Sequence, residues 1–88
     1  QIVIIELQGN DFVSEDMLLK DSYNIFTSST SVKEMKESIL KWYAKIDGQN
    51  VNVLTLKMTK SQMELLKSSP YTDVPTIAAH YKKHDQLK

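Results

Sequence analysis

The chain has 88 residues, no cysteine, and a formal charge of zero, with 11 lysines against 11 acidic residues. The lack of cysteine removes disulfide scaffolds, thiolate metal sites and thiol catalysis, and the lack of arginine and of any basic stripe argues against nucleic acid as a partner. At 41% hydrophobic and 25% charged, the composition is that of one globular domain over 1–88, not of a disordered segment.

In chain order, residues 2–7 (IVIIEL) are β-rich and apolar on both faces, as in an interior strand covered on both sides. Gly9, Asn10 and Asp11 form a turn signal. Ser14, Glu15 and Asp16 either cap a short helix through Lys20 or precede an extended Met17-Leu18-Leu19. Tyr23 to Thr27 reads as a second strand, followed by a hydroxyl tract from Thr27 to Ser31. Ser31-Val32-Lys33-Glu34 has the form of a capping box. Val32, Met35, Ile39, Trp42, Tyr43 and Ile46 then recur at helical spacing, so a helix is predicted over 32–47 with Gly48 as its stop.

Residues 51–58 read as the third strand, with Leu54, Leu56 and Met58 on one face and Val51 and Val53 on the other. Thr59-Lys60-Ser61-Gln62 is a second capping box, opening a short helix with Met63 and Leu66 that ends by Pro70. From Pro75 two readings stay open. One is a last helix capped by Asp73 and carrying Ile77, Ala78 and Tyr81; the other is a strand over 76–81. The strand-helix-strand unit at 23–58 implies parallel strands joined by a right-handed crossover.

This order of pieces resembles a thioredoxin-fold domain of glutaredoxin type. Tyr23-Asn24-Ile25-Phe26 leads into the hydroxyl tract where that family has its active-site loop, and Thr72-Asp73-Val74-Pro75-Thr76-Ile77 is similar to its Thr-Val-Pro segment. The resemblance implies a cis Val74–Pro75 bond lying beside that loop. With serine and threonine in place of Cys-x-x-Cys, the chain looks most like the SH3-binding glutamic-acid-rich proteins, which lack the redox pair. The expected class is α/β: a thioredoxin-like domain with a mixed sheet of three or four strands and two or three helices. An α+β, β-grasp-like arrangement is the alternative, and a proteinase-propeptide-like fold comes third.

Chemistry-bearing groups are few. A hydroxyl tract at a helix start offers donors and a favourable dipole to an anion, glutathione or a phosphorylated side chain among them; capping and turn formation explain the same residues. The candidate contact surface is therefore Ser28, Ser29, Thr30 and Ser31 with Val74, Pro75 and Thr76. His80 and His84 would share a helical face but have no third ligand, so no metal is expected. Asp11, Glu15 and Asp16 lack a calcium-loop pattern, and no nucleophile elbow or triad occurs. Trp42 is expected in the core rather than as an interface anchor.

The sequence thus points to a non-catalytic interaction module or adaptor that binds another protein, without cofactor, nucleic acid or membrane. A small-anion or glutathione-type binder and a subunit of a larger assembly are the alternatives. An intracellular, cytoplasmic setting is expected from the absence of cysteine and of a signal-peptide pattern. Starting at Gln1 and not Met, the chain is expected to be a processed product or a domain excised from a larger parent.

Overall fold

A computed structural model describes residues 1–10 and 13–88. Asp11, part of the expected turn and acidic group, lies outside the described residues. Strand β1 (Ile2–Gln8) leads to helix α1 (Glu15–Ser28) and a 3-10 turn over Ser29–Ser31. Strands β2 (Glu37–Ile46) and β3 (Gln49–Thr59) form a hairpin; helix α2 (Lys60–Leu66), the single turn α3 (Val74–Ile77) and strand β4 (His80–Lys83) complete the chain. The sheet order is β1-β2-β3-β4. β1 and β2 are parallel, and the other two pairings are antiparallel. A mixed four-stranded sheet with three α-helices among the described residues agrees with the α/β class expected.

Several segments take a different conformation from the one predicted. The expected strand at 23–27 is the second half of α1. Ser14 caps that helix, its side chain accepting from the Met17 amide at 3.2 Å, and Glu15 and Asp16 in the first turn suit the dipole. Leu18, Ser22 and Phe26, each four apart, form a fully buried ridge that carries the helix past the β-favouring Tyr23 and Ile25. A parallel β1–β2 pair needs a crossover, and α1 supplies it.

The helix predicted over 32–47 is instead a loop followed by β2. Burial alternates along β2: Ser38, Leu40, Trp42 and Ala44 point inward and Glu37, Ile39, Lys41 and Tyr43 outward. Gly48 ends a strand, not a helix. Asp47 (φ 51°) and Gly48 (φ 80°) form a two-residue hairpin turn with both φ positive, as a type I′ turn requires. Ser31 opens no helix; its hydroxyl donates to the Ser28 carbonyl at 3.2 Å.

A bulge in the β2–β3 ladder moves Val51 and Val53 off the face expected for them. The register passes from Trp42↔Leu54 to Tyr43↔Asn52, so Val53 is an extra residue. The shift turns Val51 and Val53 to the same side as Leu54, Leu56 and Met58, and Val53 is buried. The Asn52 amide nitrogen, donating to the Trp42 carbonyl at 3.0 Å, closes the gap.

Of the remaining expectations, the capping box at α2 holds. Thr59 Oγ1 accepts from the Gln62 amide, and Gln62 Oε1 accepts from the Thr59 amide. Met63 and Leu66 are fully buried. The tail contains both features left open, a helical turn with Pro75 near its start and then a strand. No described peptide bond is cis, so Val74–Pro75 is trans.

The helices cover one face of the sheet. The core there joins Leu18, Leu19 and Phe26 to Leu40, Trp42, Leu54, Leu56 and Met58, with Met63, Leu66 and Val74. Burying these side chains contributes about 1.5–3 kcal/mol each before conformational entropy is set against it. Within this core, Trp42 Nε1 donates to Ser22 Oγ at 2.8 Å, satisfying two buried polar groups at once.

Candidate functional site: the outer edge and open face of the sheet

The hydroxyl tract lies at the C-terminal end of α1, not at a helix start. Thr27 Oγ1 donates to the Tyr23 carbonyl at 2.8 Å, Ser29 Oγ to Ile25 at 2.7 Å and Thr30 Oγ1 to Thr27 at 3.0 Å. These hydroxyls close off the last helical carbonyls, and the partial negative charge of that helix end disfavours an anion. Ser28 and Ser31 are exposed, Ser29 and Thr30 half-buried. Val74 is fully buried in the core, Pro75 half-buried and Thr76 exposed. The tract and α3 both pack against α2, and no hydrogen bond joins them among the described residues.

The feature that sequence reasoning missed is the position of β1. It is an edge strand, not an interior one. Its open-face residues Ile2 and Ile4 are each 57% exposed, while Val3, Ile5 and Leu7 are only partly buried on the helix side. Ile39 of β2 lies beside Ile4 in the register and extends the apolar surface.

The backbone of β1 is paired with β2 along one side, and no other strand among the described residues pairs with it. At the two ends of the ladder the Gln1 carbonyl accepts from Lys36 and Glu37, and the Gly9 amide donates to Tyr43 at 2.7 Å. Parallel pairing engages every second residue. The odd-numbered residues therefore face β2, and the amides and carbonyls of Ile2, Ile4, Glu6 and Gln8 turn outward. β1 carries no Lys, Pro or bulge, the usual protections of an edge. The opposite edge, β4, has four residues and carries exposed His80, Lys82 and Lys83.

Beyond the isoleucines the open face is polar and paired within the chain. Tyr43 Oη donates to Glu6 at 3.0 Å, and this bond pushes the tyrosine pKa up. Lys41 is the register partner of Glu6. Gln8 Nε2 donates to Asn50 Oδ1 at 2.9 Å. Lys57 Nζ lies 3.3 Å from Glu37 Oε2, an ion contact whose geometry is too poor for a hydrogen bond.

The two acids that open α1 hold distant segments. Tyr71 Oη donates to Asp16 at 2.6 Å and Tyr81 Oη donates to Glu15. The Tyr71 bond, then the Lys20 ammonium, hold the Asp16 carboxyl below the usual range. Burial, then the bond to Glu15, pushes the Tyr81 hydroxyl up. A cavity of about 420 Å³ at one end of the sheet is floored by Ala44, Val53 and Leu87, and among the described residues no Asp, Glu or His side chain lines it. Among the described residues no cluster of three or more His, Asp or Glu could hold a metal ion, and no helix is long and apolar enough to cross a membrane. His84 Nδ1 accepts from the Gln86 amide at 3.1 Å within the tail. No family model, curated protein or solved structure matches the chain.

Proposed function

We propose that the chain is a non-catalytic protein-interaction module that takes an extended segment of another protein as an added strand along β1. The observation that carries this reading is the seven-residue edge with Ile2 and Ile4 exposed and four residues' backbone groups turned outward. In strand addition the main-chain bonds supply affinity, and alternate side chains select the partner. Ile2, Ile4 and Ile39 would favour apolar residues at every second position of the added strand. The absence of cysteine suits an intracellular setting for such a contact.

The test is an amide chemical-shift titration with a synthetic N-acetylated (Thr-Val)3 peptide amide. Shifts are expected at residues 2–8 and should vanish in Ile4→Lys, which sets a charge on the edge while leaving the core intact. Shifts confined to residues 28–31 and 74–76, or none at millimolar peptide under conditions where sedimentation shows the chain to be monomeric, overturn the reading.

A further inference from the structure

We propose that the occupant of the β1 edge is a second copy of this chain, paired antiparallel, β1 to β1, about a two-fold axis at Ile4. The inference rests on the reading of β1 as an open edge. Its first support is backbone parity. In an antiparallel pair centred on Ile4, Ile2, Ile4 and Glu6 face Glu6, Ile4 and Ile2 of the second copy. All of these are outward-turned residues, so their amides and carbonyls pair, while Gln8 extends past Gln1 of the second copy.

Apolar side chains meet at the centre of the pair on both faces, and each Glu6 lies opposite an Ile2 at its margin. Ile4 meets Ile4 of the second copy on the open face, with Ile2 in diagonal reach, and Val3 meets Ile5 on the helix side. These are the exposed and partly buried apolar groups of β1.

Charge selects the register. Centred on Ile4, the two Glu6 residues sit four positions apart along the strands, about 13 Å, beyond the screening length of about 8–10 Å at physiological salt. Centred on Ile5 they would be two positions apart, about 7 Å, and would repel. Each Glu6 is also held by its own Tyr43 and sits beside Lys41, so it does not bar approach.

Charge and closure select this pairing over the other self-contacts. A β4-to-β4 contact would oppose Lys82 and Lys83 to their own copies across a four-residue strand. A β1-to-β4 contact is heterologous and builds a ring or an open chain of many copies, whereas β1-to-β1 closes as a dimer.

Thiol scanning reads the register directly, because the chain has no other cysteine. In Ile4→Cys the two α-carbons would be about 5.5 Å apart, within disulfide reach. In Ile2→Cys they would be about 13 Å apart. Under mild oxidation, Ile4→Cys should give crosslinked dimer at least about tenfold more than Ile2→Cys. Sedimentation of the unmodified chain should show mass rising with concentration toward twice the monomer, and Ile4→Lys should stay monomeric with an unchanged far-UV spectrum. Equal crosslinking at both positions, or a clean monomer at millimolar concentration, overturns the second-copy assignment. A monomer whose β1 amides still respond to the (Thr-Val)3 peptide loses the second copy and keeps the edge; one that responds to neither loses both.

Discussion

The turn between β2 and β3 gives the sharpest check on the fold, because it separates the strand from the helix that the same residues could form. Gly48 has φ of 80°, and a Cβ added there would meet nothing within 4 Å. The cost of Gly48→Ala is therefore backbone alone. A left-handed conformation costs an L residue about 1–2 kcal/mol, and the smaller unfolded-state entropy of alanine returns about 0.4–1 kcal/mol. The net loss is about 1 kcal/mol, or about 5 °C in Tm for a chain of this size. Asp47, at φ 51°, supplies the sign test. In the turn, Asp47→Ala replaces a residue that tolerates this region with one that tolerates it less, and stability should fall by about 0.5–1 kcal/mol. At the end of a helix over 32–47 the same change would stabilise, since alanine is the better helix former by about 0.6 kcal/mol and a negative charge would leave the C-terminal dipole. Urea unfolding followed by the fluorescence of buried Trp42 measures both variants, with the m-value expected to stay constant. A higher midpoint for Asp47→Ala would refute the hairpin.

Ser22→Ala should cost about 1–3 kcal/mol despite alanine's helix propensity, because it leaves Trp42 Nε1 buried and unpaired; equal stability in calorimetry would mean that the indole finds another acceptor. Thr59→Ala, which breaks the capping box at α2, should lose about 1 kcal/mol, whereas Ser31→Ala on its exposed turn should change stability by less than about 0.5 kcal/mol. The Tyr71–Asp16 contact sets a pH dependence. The Asp16 carboxyl is held low in the folded chain, so its contribution is complete above the unfolded carboxylate pKa and is lost as pH falls through the lower folded value. The raised Tyr71 hydroxyl has the mirror behaviour, its contribution being lost as pH rises through the folded value, above about 10. Tm profiles of the unmodified chain and Tyr71→Phe should therefore converge at both extremes, and parallel profiles would show that the contact does not form.

What was legible in the sequence follows from how local each signal is. The box Thr59–Gln62 is a four-residue device whose two hydrogen bonds close on themselves, and it reads correctly. Residues 32–47 carry a pattern with two periods. Ile39, Trp42, Tyr43 and Ile46 fit a helix, while Ser38, Leu40, Trp42 and Ala44 fit a strand, and only the hairpin arbitrates. Asp47-Gly48 between alternating apolar runs was the available signal, since that dipeptide favours a type I′ turn. Helix α1 was obscured in the opposite way. Tyr23, Ile25 and Phe26 favour a strand locally, but the ridge Leu18-Ser22-Phe26 makes their period helical once the cap at Ser14 is taken as the start. The bulge at Val53 leaves no mark in the sequence beyond two adjacent apolar residues, Val53 and Leu54.

The candidate site was hidden because edge and interior are properties of neighbours, not of a segment. Residues 2–5 are apolar on both faces, which is the composition of a strand with both of its faces covered. Among the described residues β1 has β2 on one side and no strand on the other, and α1 packs against β2 and leaves Ile2 and Ile4 exposed. Composition and position thus disagree at β1 and agree at β4, where a short lysine-bearing strand is what an edge in water requires. A further strand beside β1 would narrow the disagreement, since Ile2 and Ile4 would gain cross-strand neighbours and the outward amides would gain acceptors. The hydroxyl tract shows no such mismatch: its side chains are already spent on the carbonyls that end α1. On this chain the backbone groups and apolar side chains left over after local structure is satisfied lie along β1.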